Sequence, residues 1–267
     1  MSSNMSSNMP SLPPPATPPS LHPPSPPFAP GTMVTSVTEL NAALQTAFSS
    51  GNSASIFLQP GTVFGLVAVL HTFEAGQRLL IYSNPDDPAT ISSAAAYTKL
   101  FVIGNGLSQV SIELRHLHIT GFSEKNGVPD ALMYVHANSG DGTNFDLRFI
   151  GCHLHHNRAD TTYGGLLYLC HAVYRISFEN CSIYDNSAHH YGGVAYLGGC
   201  DPAVAPCVST VSFTSCAIYN NVVTTTDATG SGTGFGGGVL YVSSQRGSNP
   251  RPPASVRHAL PGLELSG

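Results

Sequence analysis

One sequence template recurs along the second half of the chain. It reads F-x-x-C-x-[IL]-x-x-N, then a variable stretch, then G-G-[LV]-x-Y-[LV]. Copies begin at Phe149, Phe178 and Phe213, and the asparagines that close this first part are spaced by 29 and 35 residues. A period of this length, with short strands, Gly or Asn corners and no helical phase, is typical of a solenoid in which each repeat forms one turn. The chain therefore has to stack successive repeats in order to bury a core.

Stacked parallel repeats place equivalent residues one strand spacing apart, about 4.8 Å, so like residues form columns. The predicted columns are Phe149, Phe178 and Phe213; Cys152, Cys181 and Cys216; and Asn157, Asn186 and Asn221. We expect the Phe and Cys columns to point inward as core. We expect the asparagines to form a corner ladder of amides, with their own backbone in the αL conformation. The Gly pairs 164/165, 192/193 and 237/238 should supply positive φ angles for the chain to leave each turn.

A degenerate copy precedes the three clear ones. Our alignment gives the Phe place to Ile112, the Cys place to Arg115, the Leu place to Leu117, the Asn place to Thr120 and the Tyr place to Tyr134. It stacks His116 on His153, and it places His118 in line with His155, Tyr184 and Tyr219 as an outward aromatic stripe. This stripe is our candidate ligand-binding surface, because aromatic rings stack on pyranose faces and are favoured in protein interfaces. The alternative is that the rings only stabilise the sheet, as cross-strand aromatic pairs do.

The two ends of the chain differ from its middle. Residues 10–30 contain eleven prolines, which predicts a disordered tail and resembles in composition the hydroxyproline-rich spacers of plant and algal wall glycoproteins. Ser36 and Glu39 form an S-x-x-E capping box ahead of a helical apolar pattern that Gly51 ends. The template stops after Val242. We therefore predict a Pro-rich tail (1–32), a β-helix (33–245) and an unstructured tail (246–267), and we expect the chain to be a fragment of a longer protein.

The template resembles the FxxN and GGA[ILV] repeats of chlamydial polymorphic outer membrane proteins, within the pectin lyase-like β-helix superfamily. The resemblance covers roughly residues 110–242. Residues 35–64 also resemble the N-terminal capping region of that superfamily, in which a helix plugs the open end of the coil. The resemblance implies an all-β, right-handed parallel β-helix with a short N-terminal capping helix. It also implies an exported module used in adhesion, at the cell surface or outside the cell.

Composition argues against several other functions. Charged residues make up only 9% of the chain, and the formal net charge of -5 provides no clustered basic face for nucleic acid. No apolar run approaches the roughly 18 residues of a membrane-spanning helix. The first residues lack the basic and apolar regions of a secretory signal, so they do not themselves indicate export.

An enzyme is the main alternative, since many pectin lyase-like proteins are polysaccharide lyases or hydrolases acting on polyuronides. A lyase needs carboxylates that hold Ca²⁺ together with an Arg or Lys base, and a glycosidase needs facing carboxylates. The superfamily's signatures NTD, G-x-DD, GHG and R-I-K are absent. We therefore assign no catalytic residue and no cofactor. We expect a non-catalytic module with a structural, adhesive or glycan-binding role, whose partner is a cell-wall or surface glycan or another protein.

The histidines, and two cysteines outside the columns, are candidates for a metal site and a disulfide. Histidines cluster in neighbouring repeats as zinc ligands do, but the template places them in an outward stripe, so we predict no metal site. Cys200 and Cys207 flank DPAVAP outside the template and form a candidate disulfide if the compartment is oxidising; otherwise they are free thiols.

Overall fold

The computed structural model describes the chain between residues 31 and 243, with gaps. The described residues are 31–50, 53–95, 99–104, 107, 109–124, 132–136, 144–159, 164–170, 173–189, 191–198, 210–224 and 239–243. The predicted tail 246–267 lies outside them, as does the predicted N-terminal tail apart from its last two residues. One of these, Thr32, already begins a strand, so the boundary predicted at residue 32 is slightly late.

The described residues form one helix and a long series of short strands. The first are β1 (Thr32–Val34), α1 (Val37–Ser50), β2 (Ser53–Leu58), β3 (Val63–Leu66), β4 (His71–Phe73), β5 (Arg78–Tyr82), β6 (Ala89–Ser93) and β7 (Phe101–Ile103). They are followed by β8 (Val110–Arg115), β9 (Leu117–Thr120), β10 (Ser123–Glu124), β11 (Met133–His136), β12 (Asn144–Ile150), β13 (His153–His155), β14 (Arg158–Ala159) and β15 (Leu167–Cys170). The last are β16 (Val173–Glu179), β17 (Ser182–Tyr184), β18 (Ser187–Ala188), β19 (Ala195–Gly198), β20 (Thr210–Thr214), β21 (Ala217–Tyr219), β22 (Val222–Val223) and β23 (Leu240–Ser243).

The strands pair in parallel within four sheets. Sheet 1 has the order β1-β2-β5-β8-β12-β16-β20, sheet 2 β3-β6-β9-β13-β17-β21, sheet 3 β4-β7-β11-β15-β19-β23, and sheet 4 β10-β14-β18-β22. The chain visits sheets 1, 2 and 3 in turn, and from β9 onward it passes through sheet 4 on the way to sheet 3. Each passage adds one strand to each sheet that it visits, an order compatible with a solenoid.

We call one such passage a rung. Rung 1 contains β2–β4, rung 2 β5–β7, rung 3 β8–β11, rung 4 β12–β15, rung 5 β16–β19 and rung 6 β20–β23. Within a strand, alternate side chains are buried, as in β2 and β12, because successive residues of a strand point to opposite faces. Buried side chains of sheets 1, 2 and 3 and of the helix belong to one hydrophobic cluster. Ala159 and Ala188 of sheet 4 are also buried but are not part of this cluster.

Helix α1 covers one end of this cluster. Its buried residues Leu40 and Leu44 pack with the first strands, β1, β2 and β3. The predicted capping residues both make hydrogen bonds at the start of the helix. Ser36 Oγ accepts a hydrogen bond from the Glu39 N–H at 3.3 Å, and the Glu39 carboxylate accepts a shorter one from the Thr35 N–H at 2.7 Å. The N–H groups of Thr35 and Glu39, at the start of the helix, therefore both have side-chain acceptors.

The first half of the degenerate copy was aligned wrongly by two residues, whereas Tyr134 pairs with Tyr168 as predicted. Register pairs Phe149 with Leu114 rather than Ile112, and it pairs His153 with His118 rather than His116. Ile112 and Leu114 are both inward and apolar, so the Phe place alone does not distinguish the two registers. The inward Cys place does distinguish them, because it holds the buried Leu117 in the observed register and the charged Arg115 in the predicted one.

The backbone corners also differ from the prediction. Positive φ falls on the residue before each ladder asparagine, at His156 (56°), Asp185 (54°) and Asn220 (55°), and not on the asparagines. The preceding residue makes the sharp turn, and the asparagine side chain is left free to point into the core. Of the predicted glycines, Gly164 (70°) and Gly192 (59°) have positive φ, whereas 237/238 lie outside the described residues.

Candidate functional site

The Phe column lies inside the molecule. Rings of Phe149 and Phe178 have centroids 4.9 Å apart and planes within 3°, and those of Phe178 and Phe213 are 4.8 Å apart and within 4°. Phe149 and Phe178 are buried, while Phe213, in rung 6, is only partly buried. Burial and face-to-face contact make this column a source of stability.

The three asparagines form a hydrogen-bonded ladder. Asn157 donates its Nδ2 proton to Asn186 Oδ1 at 3.0 Å, and Asn186 donates in the same way to Asn221 Oδ1 at 2.9 Å. Backbone N–H groups of Asn157 and Asn186 donate to the same two oxygens, both at 3.1 Å. A second Nδ2 bond goes to the rung before, from Asn186 to Leu154 O at 2.9 Å. Asn157 and Asn186 are completely buried, so the ladder satisfies polar groups inside the core.

The Cys column holds free thiols that donate to the carbonyls of the preceding rung. Cys152 Sγ lies 3.3 Å from Leu114 O, Cys181 Sγ 3.4 Å from Phe149 O, and Cys216 Sγ 3.3 Å from Phe178 O. The pKa of Cys181 is raised to about 12 by its hydrogen bond with the Cys152 thiol and by burial. The pKa of Cys216 is raised in the same way by Cys181 and burial. Cys181 and Cys216 are therefore poor nucleophiles, since the thiolate is the reactive form.

The predicted aromatic stripe is divided between two columns on the outer face of sheet 2. His155, Tyr184 and Tyr219 form one column, which we call the outer column; the pairs have centroids 4.9 and 5.0 Å apart with planes within 8° and 3°. We predicted that His118 would continue this column, but it does not. It stacks on His153 at 4.5 Å, and Thr120 takes the place next to His155. The cause is the two-residue error in the alignment of the degenerate copy.

The orientation of these rings limits what the outer column can bind. Tyr184, the middle ring, has its two faces covered by His155 and Tyr219, so it presents only its edge and its hydroxyl group outward. Tyr219 is the last ring described in the column and is 48% exposed. A planar ligand can therefore stack on the exposed ring of Tyr219, while hydrogen bonds can form along the column edge.

The neighbouring histidines make this face electrostatically unusual. His155 Nδ1 lies 2.8 Å from His156 Nδ1 and 3.2 Å from Thr120 Oγ1. Burial, followed by His156, His118 and His153, lowers the pKa of His155 to about 4. Burial and His153 also lower the pKa of His118. The imidazoles of His155 and His118 are therefore neutral near pH 7 and act as hydrogen-bonding groups.

Tyrosines of the second half of the template lie in register on sheet 3. Register pairs Tyr134 with Tyr168, Tyr168 with Tyr196, and Tyr196 with Tyr241. The rings of Tyr168 and Tyr196 stack at 5.2 Å with planes within 10°, and both are partly exposed. Sheet 3 therefore carries a second aromatic stack on another side of the molecule.

Sequence reasoning missed a charged network on the outer face of sheet 1. Arg148 contacts Glu113 at 3.4 Å and Glu179 at 3.1 Å, Arg115 pairs with Glu113, and Arg175 lies 2.7 and 3.1 Å from the two oxygens of Asp146. Most of these residues precede the Phe place and lie outside the template, and Glu179 and Arg115 occupy its variable positions, so the repeat itself does not mark them. A correct register was the only signal that brings them together, because each ion pair but one joins neighbouring rungs.

The cysteine pair, a metal site and a membrane span are the remaining features that the sequence analysis raised. Cys200 and Cys207 lie outside the described residues, so their pairing stays a prediction. Within the described ranges, no three His, Cys, Asp or Glu side chains are arranged to hold a metal ion. Helix α1, the single helix there, is too short to cross a bilayer.

Comparison with known proteins gives no assignment. A scan of protein-family models, a search of curated proteins and a search of solved structures found no match to this chain. The resemblance to pectin lyase-like proteins therefore stands on the template, with a mostly parallel β architecture that is compatible with it.

Proposed function

We propose that the chain is a right-handed parallel β-helix that serves as a non-catalytic structural and adhesive module, binding glycans on its outer column. Support for the coil comes from the repeated visiting order of the sheets, in which every strand pairs in parallel with its equivalent one rung away. Support for its hand is general, because parallel crossover connections are right-handed in about 98% of cases.

The observation that carries the binding role is the outer column itself. Its described strand positions present imidazole and phenol edges rather than carboxylates, and it ends at the exposed ring of Tyr219. Tyrosine combines an apolar face with a hydroxyl group, which suits a pyranose ring that has apolar C–H faces and equatorial hydroxyls. A sugar would stack on Tyr219, and the neighbouring units would hydrogen-bond along the column. This surface fits cell-wall or cell-surface glycans, and such a module would act outside the cell.

A glycan array with the whole chain tests this proposal. We expect selective binding that Tyr219→Ala weakens about tenfold, the usual cost of removing an aromatic anchor from a binding surface. Ser182→Ala is the matched control, because Ser182 faces outward on the same sheet but lies in the His153 column rather than the outer column. Equal binding by both variants, or no binding to any glycan, would count against the proposal.

The charged network on sheet 1 favours a second candidate, a polysaccharide lyase or glycoside hydrolase acting on polyuronides. Arg115, Arg148 and Arg175 are each partly exposed and lie on one face, where guanidinium groups can pair with uronate carboxylates. In the free protein, however, these arginines already neutralise Glu113, Glu179 and Asp146. A polyuronide cleavage assay separates the candidates: turnover that is lost in Glu113→Gln and kept in Tyr219→Ala supports the enzyme, and absence of turnover supports the binding module.

A further inference from the structure

Rungs 4, 5 and 6 contact one another through the same set of bonds each time. The N–H of the corner residue donates to the next rung, from Gly151 to Glu179 O at 2.8 Å and from Asn180 to Thr214 O at 2.9 Å. In the other direction, the thiol of each new rung donates to the Phe-column carbonyl below it, as from Cys181 to Phe149 and from Cys216 to Phe178. The Asn ladder completes the set. The shape and the hydrogen-bonding groups of one rung therefore favour the same template residues in the next rung.

Rung 6 has no later rung among the described residues, because β20, β21, β22 and β23 are the last strands of their sheets. In rungs 4 and 5, certain backbone groups bond to the next rung. Their counterparts in rung 6 are the N–H groups of Ser215 and Asn221 and the carbonyls of Phe213, Cys216, Ile218 and Asn221. Asn221 shows the effect on a side chain: its second Nδ2 bond turns to Tyr219 O of its own rung at 3.0 Å, where Asn186 bonds to the next asparagine. Phe213 and Ile218 are partly exposed. Among the described residues, rung 6 therefore presents one half of an interface that rungs 4, 5 and 6 make repeatedly.

The opposite end of the molecule cannot complete it. Helix α1 packs on the first strands and buries Leu40 and Leu44 there, so a second copy cannot place its rung 1 against rung 6. An antiparallel pairing of two rung 6 edges would not align the asparagines, because the ladder needs parallel strands in register.

We propose that the edge formed by β20, β21 and β22 binds a parallel segment of a partner polypeptide that carries one more copy of F-x-x-C-x-[IL]-x-x-N. The partner's Phe stacks on Phe213, its thiol donates to the Phe213 carbonyl, and its Asn accepts from the N–H and Nδ2 of Asn221. Main-chain bonds supply affinity and the three template residues supply specificity, as in other cases of strand addition to a sheet edge. The site overlaps the proposed glycan site, because a strand added to β21 would lie over the exposed ring of Tyr219, so the partner segment and a stacked sugar would compete.

The experiment uses the full chain in reducing buffer and the peptide FENCSIYDN, the sequence of residues 178–186. Binding is followed by calorimetry, and its location by hydrogen exchange. We expect one peptide per chain and slower amide exchange in residues 213–222. The same peptide with Ala in place of its Cys and its last Asn should bind about tenfold more weakly, since it loses hydrogen bonds that rung 6 is left to satisfy.

Two variants of the chain sharpen the test. Asn221→Asp keeps the N–H and the Oδ1 acceptor that holds Asn186, but it removes Nδ2, so peptide affinity should fall about tenfold while the melting temperature shows that the chain is folded. Asn220→Asp changes the neighbouring residue, which lies outside the ladder, and should bind like the wild type. Absence of binding, equal affinity for the two peptides, or a dimer whose rung 6 edge is protected without peptide would overturn the proposal.

Discussion

The Phe column and the outer column have almost the same ring geometry in different surroundings. Neighbouring rings lie 4.8–4.9 Å apart in the first and 4.9–5.0 Å apart in the second, and both stacks are nearly parallel. Phe149 and Phe178 are each 1% exposed, whereas Tyr219 is 48% exposed. Stacking distance therefore reflects the parallel register of the rungs and occurs on either face of a sheet. Burial, rather than stacking, decides whether a column stabilises the core or is available to a ligand.

The largest expected difference between the two columns is in stability. Phe178→Ala should lower the free energy of unfolding by about 3–5 kcal/mol, because it removes a buried ring and leaves a cavity between two others. Tyr184→Ala on the outer column should cost about 1 kcal/mol, the worth of an exposed aromatic pair. Urea unfolding of both variants measures the contrast. Equal losses would show that stacking itself, and not burial, stabilises the columns.

The Asn ladder should come next in the size of its effect. Asn186→Ala leaves the backbone N–H and the Nδ2 of Asn157 without their acceptor in the core, which should cost about 2–3 kcal/mol in urea unfolding. Asn221→Ala is the matched control at the partly exposed end of the ladder, where water can replace the lost bonds, so we expect a smaller cost. A larger loss at Asn221 than at Asn186 would contradict the buried ladder.

Acid should act on the outer column and not on the Phe column. The folded protein holds the pKa of His155 at about 4, below the ordinary value near 6.5. Between these two pH values, His155 therefore binds a proton in the unfolded chain but not in the folded chain. The contribution of His155 to stability is therefore complete above about pH 6.5 and is lost as the pH falls toward 4. Solvent screening on this outward face limits the loss to about 1 kcal/mol.

Unfolding curves at pH 7.5 and pH 4.5 measure this change, with His155→Gln as the control. The variant has no imidazole to protonate at this position, so its stability should fall less between the two pH values. An identical pH dependence in the variant and the wild type would show that His155 does not carry the effect.

Thiol labelling should give the smallest signal. The pKa of Cys181 is raised to about 12, so at pH 8 its thiol is protonated and shielded from a thiol reagent. Peptide mapping after labelling should show Cys181 unmodified in the folded chain and modified in urea. Rapid labelling of Cys181 without denaturant would place it outside the core.

The clear repeats could be predicted from the sequence because Phe, Cys and Asn recur in them literally. The first half of the degenerate copy was misaligned, since Ile112 and Leu114 are both acceptable inward residues and β periodicity allows a shift of two, although that shift puts the charged Arg115 in the inward Cys place. That error moved His118 into the wrong column. The network of Arg148 with Glu113 and Glu179 was missed for a related reason, because its members lie outside the template or at its variable positions and meet only across rungs. The orientation of the outer rings also depends on side-chain geometry that residue spacing does not contain.

The in-register stacking of the rungs is most directly tested by NMR of the side-chain amide of Asn186. In the folded chain its Nδ2 protons bond to Leu154 O and Asn221 Oδ1 inside the core. We therefore expect slow exchange with solvent and nuclear Overhauser contacts to the side-chain amides of both Asn157 and Asn221. An Asn186 amide that exchanges as fast as an exposed asparagine, without contact to either neighbour, would contradict the parallel stack.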